Sequence, residues 1–258
     1  MKEFADFACA LADAARGVSL PAAMQIGAID NKVEGAGFDP VTAADRGAEK
    51  AMRGIIEYRF PSHGIAGEEF PDRPARGRHV WSLDPIDGTR SFICGLPSWT
   101  TLIALLEDGA PVLGLIDAPR LGERYLGYGE TAQLITASGS RTLATSDCRS
   151  LAEARFSTTD PYLFAGEEMD AFQRLRAKAR LSRFGHDAYA YARLADGTID
   201  LVVESGLQPF DYQALIPVVR GAGGIVGNWE GGPDCTGGRL VAAATRDLFD
   251  EAVATLAG

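Results

Sequence analysis

Histidine, cysteine and long apolar runs are all scarce in this chain. Of its 258 residues, 3 are His and 4 are Cys. Cys9, Cys94, Cys148 and Cys235 are widely spaced and form no CxxC pair, so neither a zinc site nor a disulfide framework is expected. Buried thiols in a reducing compartment fit better. No stretch reaches the roughly 18–20 apolar residues that span a bilayer. Lys2, Glu3, Asp6 and Asp13 interrupt the N-terminus where a signal peptide needs an unbroken apolar core. The chain is therefore expected to be cytoplasmic, with no membrane partner. Bases are in deficit, 25 Lys and Arg against 35 Asp and Glu, for a formal charge of -10. Such a surface lacks the basic clusters that displace counterions from nucleic acid, so no nucleic-acid partner is expected. An anionic substrate stays open, because bound cations reverse a local field.

Apolar residues make up 46% of the chain, enough for a substantial core in one compact unit or two closely joined halves. Phe4, Phe7, Ala8, Leu11 and Ala15 recur at helical spacing. Thr42-Ala43-Ala44-Asp45 starts a second helix, carrying Ala48, Met52, Ile55 and Ile56 inward and ending before Pro61. The period then changes. Val80–Leu83, Thr100–Leu106, Val112–Ile116, Arg124–Gly127 and Gln133–Thr136 read as strands, with Asp108-Gly109 as a hairpin turn, so an antiparallel meander is expected. Further on, 167–180, 188–195 and 210–222 read as helices, the last despite Pro217. Strands are expected at 199–203 and 240–245, before a terminal helix. The mixture implies sheets layered with helices.

Leu83-Asp84-Pro85-Ile86-Asp87-Gly88-Thr89 follows an apolar strand. Pro85 keeps Asp84 out of helical geometry, Gly88 permits a tight path, and Thr89 stands where a short helix can begin. Carboxylates suit a hard cation and free N–H groups at a helix start suit an anion, so one turn can hold both metal and phosphate. An isolated motif of this kind is more often a surface turn. Gly67-Glu68-Glu69 ends a short apolar run and points one Glu each way, yet paired Glu residues are usually just solvated. Asp211 opens a helix after Pro209, where the helix dipole alone favours it. Asp45 completes a capping box with Thr42 just as well as a site.

Together these segments resemble the inositol monophosphatase family of metal-dependent phosphatases. The resemblance runs through Val41-Thr42-Ala43-Ala44-Asp45, Gly67-Glu68-Glu69, Trp81–Thr89, Gly206–Asp211 and Gly221–Gly224. It implies the layered α-β-α-β-α sugar-phosphatase fold, with the helices, metal motifs and larger sheet in 1–140 and the substrate-selecting segments in 141–258. By the resemblance, Glu68, Asp84 and the Ile86 carbonyl would hold one Mg²⁺, and Asp84, Asp87 and Asp211 a second; a third would share Glu68. All-oxygen ligands admit Mn²⁺ as a substitute. Asp87 and the N–H groups of Gly88 and Thr89 would hold the phosphate. Asp45 and Thr89, with Glu68, would orient and deprotonate the attacking water. A homodimer is implied too.

The runs Gly88–Pro97, Val203–Asp211 and Arg183–Tyr189 look most like the histidinol-phosphate phosphatase branch, although many members carry Gly where this chain has His186. Histidinol phosphate bears an ammonium and an imidazole, which Glu204, Asp187 and Asp211 would complement. Glu204 would equally bind a sugar-like hydroxyl, and Asp187 would equally cap the helix after it. His186, Trp99 and Tyr189 read more readily as packed or rim residues. The expected activity is hydrolysis of L-histidinol phosphate, a step of histidine biosynthesis. The alternatives are an inositol-1-phosphate phosphatase, then a phosphatase of sugar bisphosphates or phosphoadenosine phosphate. A non-catalytic metal-binding regulatory protein of the same fold is a further reading, against which the intact carboxylate set argues.

Overall fold

The structure is a computed structural model and describes residues 1–25, 29–31 and 40–258. In chain order, α1 (Lys2–Ala23) precedes a small antiparallel pair, β1 (Ile29–Asn31) and β2 (Pro40–Thr42), and α2 (Ala43–Arg59). Next come β3 (Gly64–Gly67), β4 (His79–Asp87), the one-turn α3 (Thr89–Ile93), β5 (Thr100–Glu107), β6 (Ala110–Ala118), β7 (Glu123–Tyr128), β8 (Thr131–Thr136) and β9 (Gly139–Thr142). The remainder is β10 (Arg155–Thr158), α4 (Glu167–Lys178), β11 (Leu181–Phe184), α5 (Tyr189–Ala195), β12 (Leu201–Glu204), α6 (Pro209–Tyr212), α7 (Leu215–Gly221), β13 (Ile225–Gly227), β14 (Leu240–Ala243) and α8 (Arg246–Ala257).

Strands β3 to β9 form a seven-stranded sheet in sequence order, antiparallel except where β3 runs parallel to β4. A five-stranded sheet has the order β11-β10-β12-β14-β13. Strand β5 is buried along nearly its whole length because helices cover both faces. Ile103 and Leu105 point to the α1–α2 side with Met52 and Trp81, whereas Leu102, Ala104 and Leu106 point to the α5–α7 side. The far side of α5 and α7 meets Val202 and Ala242 of the second sheet. That sheet's other face, with Phe156, Val203 and Val241, packs on Phe172 of α4 and Phe249 of α8. The layers are therefore α-β-α-β-α, as the sequence implied. Among the described residues no helix is long and apolar enough to cross a membrane.

The meander and the Asp108-Gly109 turn are present, both turn residues having positive φ (51° and 84°). Three expectations need correction. The Asp-Pro-Ile-Asp segment is not a turn beyond the strand but the end of β4. The β4–β5 register skips between Asp84 and Asp87, and Pro85, which has no N–H to give to a ladder, sits in that irregularity. The helix expected over 210–222 is two helices, α6 and α7, broken at 213–214. Pro217 cannot donate to the Gln213 carbonyl four residues back, so the break falls one turn ahead of it. Strands β1, β2, β9, β10, β11 and β13 were not anticipated. Helix α7 lies close on the meander: a Cβ at Gly127 would come within 2.4 Å of the Pro217 carbonyl oxygen.

Candidate active site

The bulged end of β4 delivers two acids. Asp84 is buried, and its Oδ1 accepts from the Ile86 N–H across Pro85 at 3.1 Å. The Ile86 carbonyl accepts from Thr89 Oγ1 at 3.1 Å, while the Ile86 side chain packs with Ala44, Phe92 and Trp99. Asp87 turns the other way. Its Oδ2 accepts from Thr100 Oγ1 of β5 at 3.2 Å and from the Ala188 N–H at 2.8 Å. Gly88 is required twice: its φ is +77°, and a Cβ there would lie 2.7 Å from Asp187 Oδ2.

Glu68 follows β3, and its N–H donates to the Leu83 carbonyl at 3.2 Å, which sets it beside β4. Sequence reasoning missed its support. Glu49, wholly buried on α2, accepts from the Glu69 N–H at 2.8 Å and from Arg53 Nε at 2.7 Å. A Cβ at Gly67 would sit 2.2 Å from Glu49 Oε1, so the glycine lets the carboxylate reach the segment carrying Glu68. A Glu between Ala48 and Met52 on an inward helix face was the available signal.

Asp45 forms the capping box: Oδ2 accepts from the Thr42 N–H at 2.8 Å and from Thr42 Oγ1 at 2.6 Å. Asp211 likewise takes the Gln208 N–H at 2.7 Å at the start of α6. Asp187 does not cap α5 with its side chain, contrary to one reading of the sequence; Ser91 Oγ donates to its Oδ2 at 3.2 Å instead. Its φ of +48° is unusual for a non-glycine residue.

A cleft of about 260 Å³ brings together Asp87, Gly88, Thr89, Asp187, Glu204 and Asp211, with Arg90, Thr159 and Leu163 on its walls. Asp45, Glu68, Asp84 and Ile86 are not among the lining residues. A larger cavity of about 570 Å³ beside Arg155 and Asp200 lies away from these acids. Glu204, buried at the end of β12, accepts from the Thr159 N–H at 2.7 Å, Thr159 Oγ1 at 2.9 Å and Thr158 Oγ1 at 3.1 Å. Burial pushes its carboxyl up to about 8 against these bonds, which favour the ionised form. His186 is half-buried off the cleft wall; burial, then nearby Arg183, holds its imidazole below the usual value. Trp99 is a core residue, edge-on to Phe92.

Asp84 is raised well above an ordinary carboxyl, first by burial and then by the charges of Glu68, Asp87 and Asp211. Asp87 is raised similarly, by burial and then by Asp187, with Asp211 adding to it and the Ala188 N–H opposing. Five carboxylates thus crowd one another, and the largest influences on Asp84 include no cation. Among the described residues no group of three or more His, Cys, Asp or Glu is closed to a geometry that holds an ion as it stands. Asp84, Asp87 and Asp211 each rest on a backbone N–H donor. The donor set still fits a hard divalent cation in its chemistry: all oxygen, buried, and short of positive charge.

The profile of the inositol monophosphatase family matches residues 1–257. The chain is 44% identical over 230 residues to the bifunctional phosphatase IMPL2 of Arabidopsis thaliana, covering 85% of this chain and 66% of that protein. It is 34% identical over 217 residues to a histidinol-phosphatase of Chlorobaculum parvum, covering 84% and 83% of the two chains. A solved inositol monophosphatase from Zymomonas mobilis superposes with a TM-score of 0.87 at 40% identity, covering 100% of this chain and 98% of that one. Fold, acids and relatives together define a hydrolase of phosphate monoesters. The chain belongs to the inositol monophosphatase family. Enzymes of this family are metal-dependent, typically on Mg²⁺.

Proposed function

We propose that this phosphatase hydrolyses L-histidinol phosphate to L-histidinol and phosphate. The observation that carries the reading is the acid wall at the inner end of the cleft, where Asp187 and Glu204 stand beyond the Gly88-Thr89 turn. That wall complements an alcohol bearing an ammonium and an imidazole. An arriving cation favours the ionised form of Glu204 and so opposes the burial that raises its carboxyl. The likeness to a histidinol-phosphatase supports the same choice.

In this reading the N–H groups of Gly88 and Thr89 take the phosphate oxygens, and Asp87 fixes that turn. Glu68, Asp84, Asp87, Asp211 and the Ile86 carbonyl would hold Mg²⁺, or Mn²⁺ in its place. When bound, the metal supplies charge neutralisation at the ester oxygens and activation of water. Thr89 and Asp45 orient the attacking water and take its proton, with Glu68 as a second acceptor. Asp187 and Glu204 align the alcohol so that its oxygen departs opposite the water.

One specific observation favours inositol-1-phosphate instead: the 40% identity to an inositol monophosphatase over the whole chain. Phosphate release from purified protein with Mg²⁺ separates the two. L-Histidinol phosphate, inositol-1-phosphate and fructose-1,6-bisphosphate are compared, with EDTA as control. EDTA-sensitive preference for histidinol phosphate is the expected result. Preference for inositol-1-phosphate overturns the substrate and keeps the chemistry.

A further inference from the structure

Tyr191 lies in the middle of α5 and is 2% exposed. Its ring belongs to the core between the two sheets. Its hydroxyl is buried and makes no hydrogen bond to any described residue. Phenylalanine would fill the same space without that penalty, because burying a hydroxyl with no partner is unfavourable. The tyrosine is therefore unexplained by packing.

What lies beside it explains it. A chamber of about 20 Å³ is lined by Tyr191, Asp87, Asp187, Glu204, Asp211 and Leu215. All four of these acids also line the 260 Å³ cleft, so the chamber is the cleft's inner end. Its volume suits one group the size of a water molecule, for which about 10–15 Å³ is the minimum. Several polar atoms surround that point, and the phenol can either donate or accept there.

We propose that Tyr191 is a specificity-determining residue, its hydroxyl and Glu204 together holding one hydrogen-bonding group in this chamber. The group is a water-sized donor: the substrate's own amine or hydroxyl, or a water molecule that bridges to it. The inference rests on the ester-hydrolysing role of the adjoining cleft and not on which alcohol it takes. Its partner arrives with the bound substrate, so removal of the hydroxyl costs binding rather than folding.

The test is Tyr191→Phe, assayed with Mg²⁺ on L-histidinol phosphate and on its analogue lacking the amine, alongside thermal melting. KM for histidinol phosphate rises about five- to tenfold, the loss of one hydrogen bond, while kcat is nearly unchanged and Tm holds or rises. A penalty confined to the amine-bearing ester identifies the substrate's own group; an equal penalty on both esters identifies a bridging water. Unchanged KM on both esters overturns the proposal. So does a fall in Tm with kcat and KM both impaired, the mark of an ordinary core tyrosine. If the wild type turns over neither ester, it is the substrate reading that fails. The same variant is then compared on inositol-1-phosphate, where an unchanged KM again overturns the role of Tyr191.

Discussion

Asp87 Oδ2 accepts a hydrogen bond from the Ala188 N–H at 2.8 Å, so an acid at the end of one sheet's strand caps a helix packed between the two sheets. Helix α5 has no side-chain cap of its own. The proposed function gives the same carboxylate a part in the chemistry, and two substitutions separate that part from its packing role. Asp87→Ala leaves the Ala188 N–H without its acceptor and is expected to cost about 1–3 kcal/mol in thermal or urea unfolding. Asp87→Asn keeps an acceptor oxygen. It is expected to retain most of the stability while turnover falls at least about 100-fold, beyond the 10–100-fold typical of lost outer support to a metal ligand.

Gly88→Ala is expected to fail locally rather than globally. The left-handed φ of +77° costs about 1–2 kcal/mol for any other residue, and the new Cβ would meet Asp187 Oδ2 at 2.7 Å. Turnover should drop with only a modest loss in melting temperature. Near-wild-type kcat/KM would show that the turn is not a phosphate cradle.

Glu49→Gln probes the support behind Glu68. An amide nitrogen in place of Oε2 faces the Glu69 N–H instead of accepting from it, and an amide on the Oε1 side no longer offers a charged partner to Arg53. The Mg²⁺ concentration needed for half-maximal phosphate release should rise roughly 10-fold, in the range for lost outer support. An unchanged metal requirement would reduce Glu49 to a structural residue.

Glu204 makes stability depend on pH. Its folded value is pushed from 4.5 up to about 8, so the folded state binds the proton more tightly than the unfolded chain. The corresponding stability is fully present below pH 4.5 and is lost as pH rises through about 8. Glu204→Gln mimics the protonated carboxyl. Urea melts across that interval should be flatter for the variant than for the wild type, and the variant should be the more stable of the two at pH 8. Parallel slopes would contradict the burial argument.

The acid-rich end of β4 was legible in the sequence because its pattern is local. Asp84, Pro85, Asp87 and Gly88 are consecutive or nearly so, and each has a reason visible within the segment. What escaped depends on contacts remote in sequence. Glu49 matters through Glu69, 20 residues away. Glu204 was named from the sequence, but its anchoring by Thr159, 45 residues away, was not. Tyr191 reads as an apolar helix residue until its unpartnered hydroxyl and the chamber it lines are seen. The α6–α7 break follows from Pro217, whose effect falls one turn ahead of the residue itself. Strands β10 and β11 are 4 residues each, too short to give a period. The α-β-α-β-α layering came from the family resemblance; the residue pattern by itself implied only sheets layered with helices, which agrees with a β5 buried on both faces.

In the proposed function, the carboxylates crowded around Asp84 hold the metal on which hydrolysis depends. The direct measurement is calorimetric titration of Mg²⁺ into wild type and Asp84→Asn, paired with phosphate release from the same samples. Saturable binding is expected in the wild type and strongly weakened binding in the variant, with turnover lost in proportion. Equal Mg²⁺ affinity, or substantial residual turnover by Asp84→Asn, would contradict it.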